Sequence, residues 1–198
     1  MPTSQKASRP RGVMREKMIE IGEALLNEKG AAEFSLREIA RRLGVSHNAP
    51  HKHFPGKEAL LAEIATRGFQ RLNETIERSA ASGDIPQGVT RGVAYVRFAV
   101  ENPVLFRLMF ANPAHPGMDA QIASASAAGL GGLADFMKAF YTEDRYIDAA
   151  IAAWSIVHGL AVLLLEDRIP NEMIAGRSAE RLADDVLTTL HMGLTLGR

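Results

Sequence analysis

His47, Asn48, His51, Lys52 and His53 place five hydrogen-bonding or cationic side chains within seven positions. Two chemistries use such a set. Imidazoles at i and i+4, as at 47 and 51, fall on one face of a helix and can share a metal ion. No nearby carboxylate or cysteine supplies an obvious third protein ligand, so no metal is assigned. The other chemistry is base reading. Asparagine pairs bidentately with adenine, lysine reaches guanine or phosphate, and histidine contacts either. The chain carries no Gly-rich phosphate loop and no G-x-S-x-G elbow, and its acids are scattered, so no catalytic residue and no cofactor are assigned.

A second set lies further along: Phe98, Phe106, Phe110, Phe136, Phe140, Trp154 and His158. Aromatic residues of this kind are ordinary core material in a helical protein. Around a cavity they would instead form walls for a small apolar or aromatic ligand, with His158 as the polar handle. Trp154 and His158 stand one helical turn apart. Packing and pocket both remain open for Trp154, whereas Gly159 reads as a packing residue.

The first set is positioned by the stretch Ser35 to Lys57. Ser35 and Glu38 have the spacing of a capping box. Leu36, Ile39, Ala40 and Leu43 recur at helical period, and Gly44 permits the left-handed turn that ends a helix. Ser46 caps a second, short helix over 47–53. Pro50 falls in its first turn, where a missing amide costs least. Phe54 anchors it, and Lys57 opens the next helix, where amides and a cation can hold a phosphate. Helix, Gly-containing turn, helix is a helix-turn-helix, whose second helix enters the major groove.

The rest of the chain reads as helix as well, about nine in all, with no convincing strand. The first spans about 12–29 and the fourth about 57–81. The fifth opens at Asp84, which with Gln87 has a capping-box pattern, and the sixth at Pro103. The seventh spans about 118–141, after a loop at 112–117. The eighth, about 144–168, is apolar nearly all round, which predicts burial on more than one side. The ninth spans about 178–196.

Net charge is zero, but its distribution is uneven. Residues 1–60 carry 11 Lys/Arg against 7 Asp/Glu; the remainder carries 12 against 16. A basic module on an acidic body is expected when one end touches nucleic acid. There are no cysteines, which removes disulfides and thiol catalysis. The polar, basic N-terminus has no apolar signal segment, and the longest uncharged run, 149–165, falls short of the roughly 20 residues a spanning helix needs. A cytoplasmic protein without a membrane partner is expected.

IARRLGVS followed by HKHFPGKEALL resembles the DNA-binding region of TetR-family bacterial regulators, with His51 where the family usually has Tyr. YVRFAVENPVLFRLMF together with AWSIVHGLAVLLLE resembles the WHG type of TetR C-terminal domain. The resemblance implies an all-α, two-domain regulator, most simply a repressor, that dimerises and keeps an apolar cavity. The domains would be a disordered basic arm at 1–11, a helix-turn-helix head at 12–56, and a ligand-binding and dimerisation body at 57–198. The expected DNA set is Ser35, Arg37, Ser46, His47, Asn48, His51, Lys52, His53 and Lys57. Of these, His47, Asn48 and His51 are the base readers. The expected ligand set is the seven residues above. Expected partners are operator DNA, a small-molecule effector and a second copy held through the eighth and ninth helices. The rival expectation is a constitutive architectural DNA-binding dimer with a solid core.

Overall fold

The computed structural model describes residues 11–80, 87–111, 118–142 and 145–196. The expected arm at 1–11, the Asp84 cap and the loop at 112–117 lie wholly or mainly outside them. Among the described residues there are nine α-helices, one 3-10 helix and no strand.

α1 (Arg11–Lys29) stops at Gly30, whose φ of 73° is left-handed. α2 (Leu36–Leu43) buries Leu36, Ile39 and Ala40. It ends at left-handed Gly44, where Val45 N–H reaches back to the Ala40 carbonyl at 3.1 Å and satisfies an end of the helix. The capping box expected at its start does not form. Ser35 makes no side-chain cap bond, and Glu38 turns to the Arg41 and Arg42 guanidinium groups, 2.7–3.0 Å away. Charge-assisted bonds to two arginines outcompete one backbone amide.

The expected helix over 47–53 is a turn running into a 3-10 helix (Pro50–Lys52). Proline has no N–H to return to the Ser46 carbonyl, which receives the Ala49 amide instead at 2.9 Å. Pro50 itself is fully buried and, with Phe54, ties the segment to the head.

α3 (Lys57–Ala80) is shared by head and body. One side packs on α1. The other meets α4 (Gln87–Glu101), α5 (Pro103–Phe110) and α6 (Met118–Met137). α4 lies at the centre of the body, between α3, α7 (Tyr146–Leu165) and α9 (Ala179–Leu196). Gly92 makes this possible: a Cβ there would fall 2.4 Å from Leu187 Cδ1 and 3.0 Å from Val157 Cγ1. The short α8 (Asn171–Ile174) joins α7 to α9.

α7 is covered only in part by its own chain. Ala150, Val157, Leu160 and Ala161 face inward, but Ile147, Ile151, Val162 and Leu163 are exposed. By length and composition it is also the one helix among the described residues able to cross a membrane. Its apolar character is therefore not consumed by this chain's own core.

Candidate DNA-contact face and interior cavity

The turn and 3-10 segment present His47, Asn48, His51 and Lys52 to solvent on the side opposite buried Pro50. Ser46 and Arg37 are exposed beside them, while Ser35, His53 and Lys57 are half-buried. Ser35, Arg37 and His47 share one shallow groove with Arg41, whose side chain is exposed although it pairs with Glu38. Arg41 was not among the residues singled out from the sequence. Only the turn at Gly44 brings it beside His47.

The cations at this end divide by task. Arg42 is bound to Glu28 of α1 and to Glu38 of its own helix, so it fastens α2 to α1. Two arginines hold the Glu38 carboxyl at about 2, far below the usual carboxylate range. Arg37, Lys52 and Lys57 enter no ion pair among the described residues. They leave positive charge available on the face that carries Asn48 and His47. No group of three or more metal-ligating side chains occurs around His47, His51 and His53 or elsewhere among the described residues.

The head is fixed to α3 by charge as well as by apolar packing. Arg15 pairs with Glu63 at 2.6 Å and lies 5.0 Å over the Phe54 ring. Arg67 binds Glu16 with both guanidinium nitrogens, and Arg71 binds Glu23 at 3.1 Å. Three bridges thus run from α1 to α3 over about two turns of each helix.

In the body, α3, α4, α6 and α7 enclose a cavity of about 300 Å³. This is the lower end of small-ligand sites. Its apolar walls include Phe69, Leu72, Leu133 and Val157. Of the seven residues expected there, Phe110, Phe136 and Trp154 line it. The other four do not. Phe98 and Phe106 are core residues, 5% and 2% exposed, and Phe140 points to solvent at 53%. His158 lies behind the wall. Its ring is 4.6 Å from Phe110 and 5.6 Å from both Phe106 and Trp154, and its Nδ1 is 2.9 Å from the Tyr95 hydroxyl. Tyr95 itself lines the cavity. Burial pushes the Tyr95 phenol up and the His158 imidazole down, so both groups are held neutral. The expected polar handle is engaged inside the protein.

The polar groups that do line the cavity include Asn73 and Glu77 of α3 and Arg91 of α4. Arg91 donates to both Glu77 oxygens, at 2.7 and 3.0 Å, and its guanidinium lies 4.9 Å over the Phe136 ring. The Arg91 hydrogen bonds hold the Glu77 carboxyl below the usual range. None of these three was legible as a site residue. The one sequence signal was an arginine set between Val89 and Val93, within the apolar repeat of the helix.

An all-helical chain with an exposed helix-turn-helix face and a cavity-bearing body falls into the class of helix-turn-helix proteins. Residues 19–64 match the family of bacterial regulatory proteins of the tetR type, and residues 89–190 match the tetracyclin repressor-like C-terminal domain. The chain belongs to the tetR family. It is similar to the HTH-type transcriptional regulator Rv1816 of Mycobacterium tuberculosis, 30% identical over 108 residues. That match takes in 52% of this chain and 46% of the relative, so it spans about half of the relative's length. A protein of unknown function from Rhodococcus sp. RHA1 has the same fold at 27% identity and a TM-score of 0.79, over 96% of this chain and 98% of that one. AibR, solved with isovaleryl coenzyme A and operator DNA, shares the fold at 17% identity and a TM-score of 0.61, over 89% and 96% of the two chains.

Proposed function

We propose that this protein is a dimeric, sequence-specific transcriptional regulator, a repressor that leaves its operator when a small molecule fills the body cavity. The observation that carries the reading is the course of α3. The same helix supplies Lys57 beside the exposed face of the head and Asn73 and Glu77 in the cavity wall. Its 24 residues span about 36 Å at 1.5 Å per residue. A shift of its cavity end therefore moves the head, because α1 is bridged to it by three arginine–carboxylate pairs. The head would be residues 12–56 and the body 57–198, with 1–11 as a basic arm.

In this reading Asn48, His47 and His51 read base edges. Ser35, Arg37, Ser46, Lys52, His53 and Lys57 hold the backbone, joined by Arg41. A second copy covers the outer stripe of α7 (Ile147, Ile151 and Val162) together with Val186 of α9, in a four-helix arrangement. Ser155 and Gly159 keep the middle of that stripe low, and nothing lies within 4 Å of where a Gly159 side chain would start. The work is regulatory rather than catalytic, and the place is the cytoplasm. AibR, of the same fold, was solved with both an acyl coenzyme A and operator DNA, which supports one such body serving both partners. Selecting fragments from a random DNA pool tests the reading. Recovery of a near-palindromic site is expected, and equal affinity for selected and random DNA would refute it.

A further inference from the structure

The Arg91–Glu77 pair is an unusual thing to place in the wall of an apolar cavity. The two partners are unequal. Arg91 is 17% exposed at its side chain and Glu77 is 61% exposed. The guanidinium is therefore the fixed member, held by the Phe136 ring, while the carboxylate comes in from the solvent side. The pairing is also incomplete: Glu77 takes both terminal nitrogens, and the buried Arg91 Nε has no hydrogen-bond partner among the described residues. An arginine stays charged at any physiological pH, so a ligand entering beside it meets a permanent cation with N–H donors that Glu77 does not use. Phe69, Leu72, Leu133 and Val157 offer that ligand only apolar surface.

We infer that the cavity takes an apolar monocarboxylate whose head group replaces the Glu77 carboxylate on Arg91 while its tail lies among the aromatic walls. This rests on reading the cavity as the effector site, and it names the effector's chemistry. The exchange swaps one planar carboxylate for another on the same two nitrogens, so the buried cation is never left unpaired. Glu77 returns to water at little cost, since most of it is already there. A neutral ligand of the same shape has no such exchange available. It leaves the ion pair standing and is offered only the Arg91 N–H groups that Glu77 does not use. The pair also joins α3 to α4, so a carboxylate ligand cuts one link between the helix that reaches the head and the centre of the body. That gives the charge a direct role in release.

The test is titration calorimetry of the 198-residue chain with octanoate and 4-phenylbutanoate, and with octanamide and 4-phenylbutanamide. The acids are expected to bind at least tenfold more tightly than their amides, the size of a hydrogen bond to a charged group. Glu77→Gln removes the internal competitor and should tighten the acids while leaving the amides unchanged. Arg91→Gln should abolish the preference for acid over amide. Amides binding the wild type as tightly as acids would overturn the carboxylate inference and leave the cavity reading intact. Failure of all four compounds to bind both the wild type and Glu77→Gln would overturn both.

Discussion

The Tyr95 hydroxyl and the His158 Nδ1 meet at 2.9 Å inside a cluster of Phe106, Phe110 and Trp154 rings. This bond joins α4 to α7 behind the cavity. It has a pH signature, because burial lowers the His158 pKa from 6.5. The unfolded chain then binds the proton more readily than the folded one, and stability rises with pH across the interval between the two values. The contribution is complete above about 6.5 and is lost as pH falls through the folded value. Thermal melts between about pH 5 and 7 should show a steeper loss on acidification for wild type than for His158→Phe. Equal slopes would mean that folding does not change the proton affinity of His158.

The outer face of α7 yields a prediction about assembly. Ile151 and Val162 are exposed, and neither supports the chain's own core. Ile151→Glu with Val162→Glu should give a folded monomer by sedimentation and leave the melting temperature of the isolated chain nearly unchanged. A dimer that survives both changes places the interface elsewhere. Leu187 is unsuitable for this purpose although it lies on the ninth helix. It is 7% exposed and pressed against Gly92, so a glutamate there would disrupt the fold.

At the head, Asn48→Ala should cost about 1–3 kcal/mol at one base position and relax specificity there. Lys57→Ala should weaken all sequences about equally and flatten the salt dependence. Competition binding against single-base operator variants at several salt concentrations separates the two effects.

The helices and their order were legible because periodic apolar stripes and glycine stops are local properties. Gly30 and Gly44 end α1 and α2 where expected. The short helix expected over 47–53 takes a tighter form, a turn and a 3-10 helix, since Pro50 removes the amide an α-helix would need. The cavity was half legible. Aromatic composition pointed to Phe110, Phe136 and Trp154, yet it equally pointed to Phe98 and Phe106, which fill the core. Which face an aromatic residue turns to the cavity depends on tertiary packing, as does the meeting of Glu77 and Arg91 from two different helices. The close approaches at Gly68, Gly92 and Gly129 were illegible for the same reason: each is defined by the neighbour it admits, Met109, Leu187 and Asn73 respectively. Gly159, which drew attention in the sequence, faces open space.

In the proposed function the cavity and the exposed face of the head are coupled through α3. A ligand releases DNA only if it binds the DNA-incompetent state more tightly, and operator DNA must then weaken the ligand by the same factor. The direct measurement is the affinity of a cavity ligand with and without saturating operator, on wild type and on Ala153→Phe, which fills the cavity from α7. A ligand about 5–150-fold weaker in the presence of operator is expected. The Ala153→Phe variant is expected to bind operator normally and no longer respond to the ligand. An affinity for the ligand that is identical with and without operator would contradict the coupling.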